Sequence, residues 1–193
     1  MFVISFTTDR TVKTEPNLKI SFSSIEKNLE NAPYRKFGSV FQDFFEQSGC
    51  PGAAIVVVKD SSVILMDGLG VKSSNSNDSI DINTIFRLGS LSKGFAGVLT
   101  GVLVDKQYLD WDTKVKDRLP DFVLHNEEQA SEIKVRHLLS HTTGLPLHSY
   151  TNLLEEGMEI KDIMPKLKSV DLISKEGNMM SYQNVAFAII EEV

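Results

Sequence analysis

The sequence of 193 residues contains a single cysteine, Cys50, and fewer basic than acidic residues. One cysteine excludes an intramolecular disulfide framework and any multi-cysteine metal site. The 20 Lys and Arg against 26 Asp and Glu give a formal net charge of -6. Binding to a phosphate backbone needs clustered Lys and Arg, so this balance argues against a nucleic-acid partner.

Long apolar runs are also lacking. None approaches the ~18 residues that a membrane-spanning helix requires, so no transmembrane segment is predicted. The apolar start at 1–6 turns polar at Thr7 and lacks the basic start, longer apolar stretch and cleavage site of an intact signal peptide. Either a first strand or the stub of a trimmed signal fits it. With 41% apolar and 24% charged residues, the chain is expected to fold rather than to be disordered.

The first half of the chain shows both helical and strand patterns. Apolar residues recur at steps of three and four over 34–47, which predicts an amphipathic helix. Apolar β-rich runs at 53–58 and 63–66 flank the turn residues 59–62, which predicts a β-hairpin.

Two further segments of the first half have weaker patterns. Gly68, Gly70 and the polar residues 73–79 predict a loop that leaves the sheet. Upstream of the helix at 34–47, the polar segment 7–32 is either a lead-in or a short helix around Ile25 and Leu29.

The second half is dominated by helical spacing. The segment after Ser90 predicts a buried helix. Similar patterns follow at 134–140, 160–168 and 184–193. The last of them shows no stop signal, which favours the sequence being a fragment. We expect an α/β (α+β) fold divided into a lead-in, a sheet lobe with a helix and hairpin, and a helical lobe, at 1–32, 33–85 and 86–193.

The spacing Ser-x-x-Lys places a hydroxyl and an amine one helical turn apart on the same face. It occurs as Ser24…Lys27, Ser90…Lys93 and Ser131…Lys134. The first and last pairs lie in polar stretches, where chance explains them. Ser90…Lys93 opens the apolar helix, where burial could lower the pKa of Lys93 and make its amine a base for Ser90. Ser90 is therefore the candidate nucleophile.

Three segments resemble a known family in order and spacing. Residues 84–95, around Ser90, resemble the first active-site motif of the serine β-lactamase-related and penicillin-binding-protein family. Residues 51–59 resemble its first core strand, and 135–146 a further typical segment. The family contains class C β-lactamases, D-alanyl-D-alanine peptidases and esterases. The resemblance implies an antiparallel sheet with flanking helices plus a mostly helical lobe, with the C-terminal strands outside this sequence.

The family's second motif, Tyr-x-Asn, occurs twice, beginning at Tyr150 and at Tyr182. An apolar helix follows Tyr182, as in the family, so the resemblance implies that Tyr182 shares proton transfer with Lys93. Asn184 would then bind the amide of the substrate. The third motif, on a later strand that supplies half of the oxyanion hole, is expected beyond this sequence. An acyl-transfer site that lacks this donor loses much of its rate.

Other candidate sites are weaker. His137 and His141 are four residues apart, but Leu138 stands where a zinc protease has Glu, and no third ligand is evident. We interpret both histidines as structural, and the resemblance places His141 in a loop-anchoring segment. No metal or organic cofactor is predicted.

The resemblance implies a serine hydrolase that forms an acyl-enzyme with a small-molecule or peptidoglycan-derived substrate: a β-lactam, a D-Ala-D-Ala peptide or a small ester. Which of Lys93 and Tyr182 acts as the base is left open, and no oligomeric state is predicted. A non-catalytic penicillin-binding-like protein and an inactive fragment are the alternatives. The family favours a periplasmic or secreted location.

Overall fold

The computed structural model describes residues 2–6, 19–20 and 32–193, which divide into two compact units, one up to Gly89 and one from Ser90 onward. The short helix expected around Ile25 and Leu29 lies outside the described residues, as does the Ser24…Lys27 pair.

The first unit contains a four-stranded antiparallel sheet in the order β1-β3-β4-β2. Its strands are β1 (Phe2–Phe6), β2 (Lys19–Ile20), β3 (Gly52–Lys59) and β4 (Ser62–Gly70). The predicted hairpin is confirmed, because β3 pairs with β4 from Gly52↔Gly70 to Lys59↔Ser62. The apolar start forms strand β1, paired with β3.

The predicted polar loop over 73–79 is present, but Gly68 and Gly70 do not belong to it. Gly68 and Gly70 lie within β4, opposite Ala54 and Gly52. A Cβ on Gly70 would meet the carbonyl oxygen of Pro51, and it would lie 2.7 Å from Cζ of Phe45. Glycine therefore permits a close approach inside the sheet here, a use that resembles a loop signal in sequence.

The predicted amphipathic helix is confirmed as α1 (Ala32–Ser48). Its buried side chains, Phe41 and Phe45, join those of the two central strands, whereas Phe44 is exposed. Among the side chains that the structure describes, the buried core of the first unit contains Phe41, Phe45, Ala53, Ile55, Val57 and Leu69.

The second unit is built from helices and 3₁₀ turns. The helices are α2 (Ser92–Asp105), α3 (Val115–Arg118), α4 (Glu127–Glu132), α5 (Val135–Leu139), α6 (Thr151–Glu155), α7 (Ile160–Ile163) and α8 (Asn184–Ala188). The 3₁₀ turns are Gly89–Leu91, Met164–Ser169 and Ile189–Glu191. The helical segments expected at 160–168 and 184–193 are therefore confirmed as short α-helices that continue as 3₁₀ turns.

The core of the second unit is formed by side chains from α3 to α8 and their connections. Its largest fully buried members are Phe122, Ile133, Leu138, Leu145, Ile163, Leu167 and Ile189. In the ranges described, no helix is both long and apolar enough to cross a membrane.

Helix α2 does not show the burial that its sequence predicts. Only Thr100 is buried, while Phe95, Val98 and Leu99 are 64%, 70% and 60% exposed. The helix itself forms where expected, because helical spacing is a local property. Burial depends on what packs against the helix, and the described residues leave this face open.

Candidate active site

Ser90 lies in the 3₁₀ turn that precedes α2, after Gly89 with its positive φ of 52°. Lys93 is the second residue of α2, so the two side chains are one turn apart. Their reactive atoms lie close together, with Lys93 Nζ donating to Ser90 Oγ at 3.3 Å. Ser90 is exposed and Lys93 is half-buried, so the nucleophile is open to a substrate while the amine is partly shielded.

Tyr182 and Asn184 complete a group of four polar side chains. The Tyr182 hydroxyl lies 2.6 Å from Ser90 Oγ. Asn184, the first residue of α8, accepts a hydrogen bond from Lys93 Nζ at 2.8 Å. The structure thus brings together all four residues that the sequence analysis singled out, and all four belong to the second unit.

Lys93 makes the site electrostatically favourable for a phenolate. Hydrogen bonding from Lys93, followed by hydrogen bonding from Ser90, lowers the pKa of Tyr182 below its ordinary value, and burial only partly opposes this. Lys93 Nζ also lies 5.0 Å from the centroid of the Tyr182 ring. A tyrosine with a lowered pKa is a better general base near neutral pH, because more of it is ionised.

The second Tyr-x-Asn copy has a different environment. Tyr150 precedes α6 in a left-handed conformation, with φ 55°, and its ring is partly buried against the core of the second unit. In the other Ser-x-x-Lys pair that the structure describes, the two side chains bond to different partners. Ser131 Oγ donates to the carbonyl of Glu127, and Lys134 Nζ donates to Asp112.

The two histidines are buried and bonded to the backbone, as their structural interpretation predicts. Nδ1 of His137 accepts the N–H of Lys134 at 3.2 Å, and Nδ1 of His141 accepts the N–H of Gln183 at 3.1 Å. Within the described ranges, no group of three or more His, Cys, Asp or Glu side chains is placed to hold a metal ion.

An aromatic cluster around Tyr182 was not predicted from the sequence. The ring of His141 lies 4.5 Å from that of Tyr182 and 5.4 Å from that of Phe187, and His148 meets Tyr182 edge-on at 5.8 Å. Burial, and then the charge of Lys93, lowers the pKa of His141. The available signal was the family-like segment that contains His141, but sequence does not show which ring it contacts.

Comparison of the sequence with known proteins gives matches over most of the chain. The sequence model of the Beta-lactamase family matches residues 37–193. Protein flp of Staphylococcus aureus (strain NCTC 8325 / PS 47) is 22% identical over 164 residues, which cover 84% of this chain and 33% of that protein. Unguisins hydrolase ungD of Aspergillus violaceofuscus is 26% identical over 147 residues, covering 72% and 26%. The chain thus spans about a third or less of the length of these curated relatives.

Comparison of the structure gives the same fold. EstCE1, described as a hydrolase with promiscuous acyltransferase activity, matches with a TM-score of 0.68 at 25% identity, covering 82% of this chain and 46% of that one. An octameric penicillin-binding protein homologue from Pyrococcus abyssi matches with a TM-score of 0.69 at 22% identity, covering 83% and 38%. A class C beta lactamase matches with a TM-score of 0.66 at 21% identity, covering 87% and 43%.

These matches confirm the predicted β-lactamase/transpeptidase-like fold. They also show that hydrolases are among the relatives of this chain. Together with the family match over residues 37–193, they show that the chain belongs to the Beta-lactamase family.

Proposed function

We propose that this chain carries the acylation centre of a serine hydrolase, with Ser90 as the nucleophile. The observation that supports this most directly is the convergence of Tyr182 Oη, at 2.6 Å, and Lys93 Nζ, at 3.3 Å, on Ser90 Oγ. A serine hydroxyl is a weak nucleophile at its own pKa and needs an adjacent base within hydrogen-bond reach. Both neighbours meet this geometric requirement.

Tyr182 is the proposed base and Lys93 the group that stabilises its phenolate. Ser90 Oγ attacks the carbonyl carbon of the substrate as its proton passes to Tyr182 Oη. The protonated Tyr182 then gives that proton to the leaving group as the bond to the carbonyl carbon breaks. Water attacks the resulting ester on Ser90, which releases the acid and regenerates the serine. Lys93, bonded to both Ser90 and Asn184, fixes the arrangement.

Asn184 is the proposed substrate-binding residue. Its Oδ1 accepts from Lys93, so its amide NH₂ is the part that would donate to a substrate carbonyl. β-Lactams and D-Ala-D-Ala peptides carry an amide carbonyl next to the scissile bond, whereas a small ester does not need one. This favours amide-bearing acyl donors, and the class C beta lactamase among the structural neighbours is consistent with that choice.

A penicillin-binding-like protein that is acylated without turnover is the second candidate. The observation that favours it is the similarity to a penicillin-binding protein homologue. It shares the acylation step and differs only in the hydrolysis of the acyl-enzyme.

The test is covalent labelling of the purified chain with a fluorescent penicillin and, separately, a fluorophosphonate. We expect labelling that Ser90→Ala abolishes. Ser131→Ala is the matched control, because Ser131 stands in the same Ser-x-x-Lys spacing but bonds to Glu127. Labelling followed by hydrolysis of nitrocefin or of a nitrophenyl ester supports the hydrolase, and labelling without hydrolysis supports the penicillin-binding alternative. Labelling that persists in Ser90→Ala would contradict the assignment of Ser90.

A further inference from the structure

His141 contacts the chain on both sides of Tyr182. Its carbonyl oxygen accepts the N–H of Ser181 at 2.8 Å, and its Nδ1 accepts the N–H of Gln183 at 3.1 Å. The residues before and after Tyr182 are thus bonded to one residue 41 positions upstream of that tyrosine. Because the backbone is bonded at both flanks, the position of the tyrosine Cα is fixed relative to His141.

The imidazole of His141 also supports the tyrosine ring directly. The two ring centroids are 4.5 Å apart with the planes inclined by 35°. The imidazole also contacts the ring of Phe187, with the two ring centroids 5.4 Å apart. His141 is only 8% exposed, so water does not compete for these contacts.

The backbone of His141 has an uncommon conformation in this arrangement. Its φ of 59° lies in the left-handed region, which residues other than glycine adopt only uncommonly. Such a conformation persists where the surrounding contacts over-determine it. The two bonds to residues 181 and 183 are contacts of that kind.

We infer that His141 is a positioning residue, which fixes the backbone on both sides of Tyr182 and thereby holds the Tyr182 hydroxyl against Ser90. This inference rests on the proposed function, since it assigns a role in the same site. The contacts of His141 are with the neighbours and the ring of Tyr182, so its effect on Ser90 is exerted through Tyr182.

The bond to Gln183 requires a neutral imidazole with its proton on Nε2, because Nδ1 is the acceptor. Burial, and then the charge of Lys93 from α2, lowers the pKa of His141 and so favours the neutral ring. The other titratable groups at this cluster are Tyr182 itself and His148, which approaches the tyrosine ring from the loop before α6.

Two substitutions separate the hydrogen bond from the ring contact. His141→Asn places an amide oxygen near the position of Nδ1 and tolerates a positive φ, but lacks the ring. His141→Ala removes both the acceptor and the ring. His137→Ala is the matched control, because His137 is equally buried and also accepts a backbone N–H through Nδ1, that of Lys134.

Two readouts are measured on the full chain: the rate of fluorophosphonate labelling at Ser90, and the ultraviolet titration of Tyr182, taken as the difference from Tyr182→Phe. We expect His141→Ala to slow labelling about tenfold or more, since small displacements of a reacting group are costly. We also expect it to raise the apparent pKa of Tyr182, since the hydroxyl moves away from Lys93. His141→Asn should restore both readouts in large part, and His137→Ala should leave both near those of the unaltered chain.

Equal changes in His141→Ala and His137→Ala, or no change in His141→Ala, would overturn the inference. If His141→Ala does not fold, as judged by circular dichroism, His141→Asn decides: retention of both readouts supports the role of the Nδ1 bond, and loss of both contradicts it. Absence of labelling in the unaltered chain would contradict the proposed function instead. The titration of Tyr182 would still test the positioning role of His141.

Discussion

Tyr182 is the residue whose substitution best separates proton transfer from packing. Tyr182→Phe keeps the ring contacts but removes the hydroxyl that lies 2.6 Å from Ser90 Oγ. General-base catalysis contributes about 100-fold or more, so we expect the labelling rate of Ser90 to fall by about that factor. Tyr150→Phe, in the other Tyr-x-Asn copy, should leave the rate unchanged because Tyr150 packs against the core. Equal rates for both variants would contradict the role of Tyr182.

The pH dependence of labelling follows from the same tyrosine. The phenolate is the proposed base, so the rate should rise as pH rises through the pKa of Tyr182. That pKa is lowered by hydrogen bonding from Lys93 and then from Ser90, so the inflection should lie below the ~10 of a free tyrosine. Rates measured between neutral and alkaline pH test this. In Lys93→Met the inflection of the Tyr182 titration should move upward, and an unmoved inflection would argue against the role given to Lys93.

At the scale of elements, the hairpin of β3 and β4 depends on Gly70. This residue has φ 78°, and a Cβ on it would overlap the carbonyl oxygen of Pro51 and lie 2.7 Å from Cζ of Phe45. Gly70→Ala should lower the free energy of unfolding of the first unit by about 1–3 kcal/mol, because the new Cβ is both strained and overpacked.

Urea denaturation followed by far-UV circular dichroism measures this loss. Gly38→Ala is the control in the same unit: Gly38 lies in α1 and nothing stands within 4 Å of its would-be Cβ. There alanine should raise stability by about 0.5–1 kcal/mol through its higher helix propensity. A Gly70→Ala variant as stable as the unaltered chain would show that the sheet yields at this position.

Helix α2 illustrates how far an element can be predicted from sequence. Its spacing fixed the helix itself, and the Ser90…Lys93 pair was correctly expected at its start. Its burial was predicted wrongly, since Phe95 and Val98 are exposed. Periodicity arises from neighbours in the chain, whereas burial arises from packing partners distant in sequence.

At the scale of the whole molecule, two buried histidines link stability to pH. Burial, and then Arg136, lowers the pKa of His137, while burial and then Lys93 lowers that of His141. The unfolded chain takes up protons near pH ~6.5, whereas the folded chain resists until lower pH. The stability contribution of these histidines is therefore present above that pH and is lost as pH falls through the folded-state pKa values.

The midpoint of urea unfolding, determined between about pH 5 and 8 where histidine titrates, measures this effect. Fluorescence of Trp111, the single tryptophan, reports unfolding of the second unit. In the plot of urea midpoint against pH, the acid limb is the part where the midpoint falls as pH decreases. The double variant His137→Asn/His141→Asn should flatten this limb. The exposed His125 supplies the control, and His125→Asn should preserve the limb. An acid limb unaffected by the double variant would assign the pH dependence to other groups.

The sequence by itself determined the family, the hairpin, α1 and the candidates Ser90, Lys93, Tyr182 and Asn184, because motif order and local periodicity are written along the chain. The roles of those four residues stay predictions that labelling will test. The contact between Ser90 and Tyr182, 92 residues apart, is visible only once the second unit is folded.

Only the tertiary structure showed that His141 bonds to both neighbours of Tyr182, that Gly70 permits a close approach inside a strand, and that Phe95 and Val98 of α2 are exposed. Each of these depends on which distant residues meet in space. A sequence pattern reports the periodicity of one segment, while hydrogen bonds and burial are set by the packing of several segments against one another.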